Sequence, residues 1–137
     1  MTKSDCILKQ EHINIRRFTM YEEISKLEVF NKAHELTIQV YQATKSFPRE
    51  EIYSLTSQLR RAAMSIPSNI AEGRARGSKA DYRRFLIIAR GSLEETRYQL
   101  LLSKDLQYIT INQYQELENK VEEISKMLNS LIKKIST

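Results

Sequence analysis

The stretch TINQYQELENKVEEISKMLNSLIKKI (residues 110–135) places Tyr114, Leu117, Val121, Ile124, Leu128, Leu131 and Ile135 at alternating steps of three and four. That period stacks the seven side chains along one face of an α-helix as a heptad seam. Thr110 and Gln113 have the spacing of a capping box, in which each side chain satisfies a backbone N–H that the helix start leaves unpaired. A helix gains most of its stability from packing such a face, so partner helices are expected upstream.

Three are legible. A third helix is predicted to open at Ser78, with Asp81 three residues on as its capping partner. It runs through Tyr82, Phe85, Leu86, Ala89, Leu93 and Leu100 toward Tyr108. A second begins between Pro48 and Thr56, shows Leu55, Leu59, Ala62, Ala63, Ile66 and Ile70 as its apolar stripe, and ends at Gly73. The first spans about 22 to 46, with Thr19 and Glu22 as a capping pair and Leu27, Phe30, Ala33, Thr37, Val40, Thr44 and Phe47 on one face. Phe47-Pro48 breaks it, because proline disfavours helical geometry in the residue before it. Four amphipathic segments with short connections predict an all-α fold, an antiparallel up-down-up-down four-helix bundle.

Composition agrees. The chain has 137 residues, three glycines and two prolines, and little β-branched alternation. Its length suits one domain. No apolar run approaches the roughly 18 residues of a membrane span, so no membrane role is expected. The first twenty residues lack an apolar core followed by a small-residue cleavage site, which favours a cytoplasmic protein. Cys6 stands alone, without a CxxC or Cys/His companion for a metal.

The net charge of +5 is unevenly placed. Between residues 60 and 97 nine basic side chains (Arg60, Arg61, Arg74, Arg76, Lys79, Arg83, Arg84, Arg90, Arg97) face four acidic ones (Glu72, Asp81, Glu94, Glu95). Elsewhere the charges cancel. Most of the surplus is arginine, whose planar guanidinium binds phosphate in a two-pronged way. Arg83, Arg90 and Arg97 recur every seven residues, forming a row that can track a phosphate backbone, although Glu94 lies within reach of both Arg90 and Arg97. These nine residues are the candidate nucleic-acid contacts; the competing reading is an assembly scaffold in which Arg60, Arg61, Arg83 and Arg90 pair with Glu72, Glu94 and Glu95 across subunits and Pro67 shapes the interface.

Catalytic signatures fail. GRARGSK (73–79) does not meet the order GxxxxGK[ST] and follows no strand. His34-Glu35 opens like a zinc helix motif, but Ile38 occupies the position of the second histidine. No Glu-x-x-His pairs build a di-iron centre, and Ser65 and Ser68 lack a nucleophile elbow. Neither an enzyme, a metal nor a cofactor is expected.

Pro67 lies inside the second helix of LTSQLRRAAMSIPSNIAEG (55–73). It lacks the N–H that would pair with the Ala63 carbonyl, which predicts a kink there, with Ser65 and Ser68 placed to bond the freed groups and Asn69 beside them. This stretch, the basic turn after it and YRRFLIIARGSLEE (82–95) resemble the signature of the 23S ribosomal RNA intervening-sequence protein family; EVFNKAHELTIQVYQATKSFPREE (28–51) resembles that family's first helix. The match falls on Leu59 to Ala62, Ile66 to Gly73, Phe85, Leu86, Gly91 to Leu93 and Glu95.

The resemblance implies a four-helix bundle that forms homopentamers, encoded within insertions in bacterial large-subunit ribosomal RNA genes. The accessory proteins of diversity-generating retroelements are similar in fold, which implies RNA or DNA, and a reverse transcriptase, as partners. Pro67, Asn69, Gly73 and Gly91 are its structural motif positions; a glycine within a helix such as Gly91 signals close approach by a neighbouring helix or subunit. Family-like sequence begins near Met20, so residues 1–19 are expected to be a disordered extension, or the product of a start site assigned too far upstream, and 20–137 the bundle domain.

Overall fold

The structure, a computed structural model, describes residues 27–135. Four helices account for most of them: α1 (Glu28–Thr44), α2 (Leu55–Ala75), α3 (Lys79–Asp105) and α4 (Ile111–Lys134), with one 3₁₀ turn at Arg49–Glu51 and no strand among the described residues. Each helix packs on its sequence neighbours, and α1 closes the ring against α4. The α2–α3 contact is the most extensive. The expected Thr19/Glu22 cap, the start of the first helix and the 1–19 extension lie outside the described residues.

Polar contacts mark the four seams. Thr37 meets Ala63 and Thr44 meets Arg60 between α1 and α2; Ser65 meets Ser92 between α2 and α3. Arg90 meets Asn129 and Arg97 meets Glu118 and Glu122 between α3 and α4. Lys120–Glu35 and Lys32–Glu123 join α4 to α1.

On α4 the seam is as expected through Leu117, Val121, Ile124 and Leu128, all buried. The last turn differs: Ile132 is buried, while Leu131 and Ile135 lie at the edge of the core. A straight helix drifts about 20° per heptad against a seven-residue repeat, which brings the next residue to the centre of the face. The Thr110/Gln113 capping box is complete. On α1 the buried line is Val29, Ala33, Leu36, Val40 and Thr44. Leu27, Phe30 and Thr37 flank it, because α1 touches both α2 and α4 and so buries a broad face rather than one stripe.

Two helix ends differ from expectation. α3 stops at Asp105 rather than near Tyr108, where Gln107 takes a left-handed φ of 64°. The Tyr108 N–H donates to the Ser103 carbonyl and the Gln107 N–H to Lys104, a Schellman arrangement that satisfies carbonyls the helix end exposes. α2 does not end at Gly73, which is buried within it; the chain turns at Gly77, whose φ of +82° suits glycine. α2 has no side-chain cap from its own Ser54. Instead Glu51 accepts from the Leu55 N–H at 3.2 Å, from the Ser54 hydroxyl at 2.7 Å and from the Tyr108 hydroxyl at 3.2 Å, tying the start of α2 to the α3–α4 loop.

α2 remains helical through Pro67. The Ala63 carbonyl that Pro67 cannot serve accepts instead from the Thr37 hydroxyl of α1, at 3.1 Å; the same hydroxyl lies 2.9 Å from the Ala33 carbonyl, so one proton is shared between two helices. The flanking serines do not fill this role. Ser65 pairs with Ser92 at 2.8 Å, and Asn69 Nδ2 donates to the Ser65 hydroxyl and carbonyl at 2.9 and 2.7 Å. Thr37→Val keeps the shape but removes the donor, leaving a buried carbonyl unpaired at a cost of about 1–3 kcal/mol. In Pro67→Ala the helix supplies its own N–H, so denaturant unfolding of the double mutant should show the Thr37→Val cost reduced, a measurable coupling.

The Ser54 hydroxyl, and after it the Leu55 N–H, hold the Glu51 carboxyl below the ordinary value of 4.5, against the opposing effect of burial. A carboxylate with a depressed folded pKa adds stability above its unfolded pKa, and that stability is lost as pH falls through the folded value. Thermal melts of Glu51→Gln should therefore show a lower Tm than the parent at neutral pH. The gap should close on acidification below about pH 4.5.

Candidate nucleic-acid interface

The connection between α2 and α3 is three residues long, so the last turn of one helix faces the first turns of the next. Gly73 makes this possible. A Cβ built there would lie 2.6 Å from Phe85 Cβ and 3.3 Å from the Tyr82 ring and carbonyl, nearer than side chains tolerate. Glycine at 73 thus serves close approach, not helix termination. Gly73→Ala should destabilise the fold by about 1–3 kcal/mol in denaturant titration, the overpacking cost outweighing the gain in helix propensity.

Around this junction the structure gathers five of the candidate residues. Arg74 lies over the Tyr82 ring at 5.8 Å, and Arg76 and Arg84 lie over Phe85 at 5.1 and 4.6 Å. Arg76 also bonds Glu72 at 2.9 Å, and Arg84 pairs with Asp81 at 3.5 Å. Lys79 is exposed, with no partner among the described residues. Arg83 is half-buried, its Nε shielded from solvent with no hydrogen-bond partner. Burial pushes the Tyr82 phenol above its ordinary value, against the pull of the neighbouring Arg74 charge. Ser78 caps α3 by accepting from the Asp81 N–H at 3.1 Å.

The other four lie elsewhere. Arg60 turns back onto α1, its Nε donating to the Thr44 hydroxyl at 2.8 Å and its guanidinium 4.8 Å from the Tyr41 ring. Arg61 is exposed further up α2. The row Arg83, Arg90, Arg97 runs along the seam with α4: Arg90 donates to Asn129 at 3.1 Å, and Arg97 is held by Glu118, by Glu94 at 3.3 Å and by Glu122 at 3.2 Å. Burial disfavours the Arg97 charge, but Glu118, Glu94 and Glu122 outweigh it and raise its proton affinity. Three carboxylates leave this guanidinium little attraction for a phosphate.

The candidate set omitted the end of α4. Ile135 lines a groove of about 520 Å³ with Ala80, Arg83, Arg84, Ile87 and Ile88, so the α4 terminus comes to the basic end of the bundle, while Lys134 lines a second groove with Leu27 and Glu28 of the α1 side. The signal was present in the sequence, since residues 124–137 carry three lysines and no acidic residue. Gly91 is exposed on α3 with nothing within 4 Å of a Cβ placed there, so no described helix requires it to be glycine. Among the described residues no group of three His, Cys, Asp or Glu side chains is placed to hold a metal. No described helix is long and apolar enough to cross a membrane.

Fold and surface together define an all-helical bundle with a cationic junction between its two most closely packed helices. The chain belongs to the 23S rRNA-intervening sequence protein family, whose model matches residues 25–130. It is similar to the crystal structure of a protein of unknown function from the S23 ribosomal protein family of Bacteroides thetaiotaomicron VPI-5482. The two are 32% identical, the match covers 77% of this chain and 98% of that one, and the TM-score is 0.69. No curated protein matches this chain. Neither the family nor the solved relative is named for a catalytic activity.

Proposed function

We propose that this chain is a non-enzymatic, cytoplasmic, homo-oligomeric protein that associates with nucleic acid through the basic junction of α2 and α3. The observation that carries this reading is the convergence of Arg74, Arg76, Lys79, Arg83 and Arg84 against only Glu72 and Asp81 within a span of thirteen residues. A surface of that sign attracts polyanions and raises their local concentration. The family's name, which refers to ribosomal RNA, favours RNA as the ligand.

The architecture belongs to the same reading: an antiparallel bundle with a bend at Pro67. Residue numbers rise on one helix as they fall on its neighbour across every seam, as in Arg90–Asn129 and Arg97–Glu122, or Thr37–Ala63 and Thr44–Arg60. The outer face of α2 and α3 supports self-association, with the pentamer as the expected form. Met64 and Ile88 are exposed there beside Ser68 and Gly91, and Tyr98 continues the line along α3. Small residues flanked by apolar side chains allow another helix to approach closely.

The test is a salt titration of binding to a structured ribosomal RNA fragment, run beside sedimentation velocity. Log K should fall with log salt at a slope of several units. Arg74→Gln, Arg76→Gln, Lys79→Gln and Arg84→Gln together should cost at least about tenfold in affinity with the sedimentation profile unchanged. Absence of binding at low salt would overturn the proposal and leave an oligomeric scaffold with a protein partner.

A further inference from the structure

Resting on the nucleic-acid reading above, we infer that the basic end of the bundle takes a double-helical nucleic acid by its phosphate backbone, and not unpaired bases. Proteins that hold single strands combine a basic groove with exposed aromatic rings on which bases stack. Among the described residues, the rings beside the α2–α3 turn are not available for that. Tyr82 is 9% exposed and Phe85 7%, and the faces they retain are covered by the protein's own guanidiniums: Arg74 on Tyr82, Arg76 and Arg84 on Phe85. The most exposed tyrosines among the described residues lie elsewhere. Tyr98 is 62% exposed but sits fourteen residues along α3 from Arg84, roughly 20 Å at the rise of an α-helix. Tyr53, 93% exposed, lies in the α1–α2 connection, ahead of the first turn of α2 and so at the far end of that helix from Arg74.

Base reading is poorly served too. Asn69 Nδ2 is tied to Ser65 and Asn129 Oδ1 accepts from Arg90, so neither amide keeps both its donor and its acceptor for the paired contact that reads an adenine edge. What remains is cationic and held in place. Stacking on a buried ring fixes a guanidinium plane before any ligand arrives, which lowers the ordering cost of forming two-pronged phosphate contacts. The cations stand on more than one helix, since Arg74 belongs to α2 and Lys79, Arg83 and Arg84 to α3, and the α4 terminus reaches the groove of Arg83 and Arg84 through Ile135. Such a surface fits phosphates fixed in a regular helix and is indifferent to sequence.

Fluorescence anisotropy on the full chain tests this with four labelled probes: a 20-base-pair RNA duplex, a DNA duplex of the same length, an RNA duplex of unrelated sequence, and single-stranded oligouridylate with the same number of phosphates. The duplexes should bind at least about tenfold more tightly than the single strand, and the two RNA sequences should agree within about threefold. Preference between RNA and DNA duplexes identifies which helix is the source of the phosphates. Lys79→Ala, at an exposed position with no partner among the described residues, should lower the salt slope by about 0.9 with the melting curve unchanged. Equal or tighter binding of the single strand overturns the inference while the nucleic-acid reading stands; no binding of any probe overturns both.

Discussion

The approach of α2 and α3 at Gly73 is the constraint on which the rest of the bundle depends. With no side chain at that position the helices meet against Phe85 and Tyr82, and a three-residue turn suffices to join them. The same closeness has an electrostatic consequence. Arginines that belong to the end of one helix and the start of another are brought into one cluster, and the two rings between them act as supports for the guanidiniums. Packing and charge here have one cause.

The charge is also segregated along the bundle. The middle neutralises itself: Arg97 is ringed by Glu94, Glu118 and Glu122, Lys120 holds Glu35, and Lys32 holds Glu123. The α2–α3 turn and the α4 terminus keep a surplus of cations, while residues 104–118, around the start of α4, carry three acidic groups and one lysine. Basic side chains near the carboxyl ends of α2 and α4 also suit the helix dipole, which favours positive charge there. An arrangement of this kind supports the proposal that one end of the bundle meets a polyanion.

Periodicity made the fold legible, because a bundle is specified by where apolar residues recur. The four helices and the α4 seam follow from Leu117, Val121, Ile124 and Leu128, and the caps at Ser78 and Thr110 from residue type and spacing alone. What sequence could not show were relations between helices. Gly73 reads as a terminator until Phe85 is seen beside it. Glu51 does not announce that it caps α2 across a loop, nor Thr37 that it serves a carbonyl on another helix. The arginine row shows the same limit from the other side: its seven-residue spacing was correctly read as one line along α3, but which neighbour that line faces is a tertiary fact.

Thr37 and Pro67 carry one more consequence, for the order in which the chain folds. Before α1 is in place the Ala63 carbonyl has no intramolecular donor, and the helix on the far side of Pro67 lacks one of the bonds that would carry it across. The last turns of α2, where Arg74 stands, therefore gain their full stability only after α1 has docked. Helix α1, itself remote in sequence from the basic turn, becomes a condition for that turn's assembly. A chain emerging from synthesis meets this condition naturally, since α1 is made first.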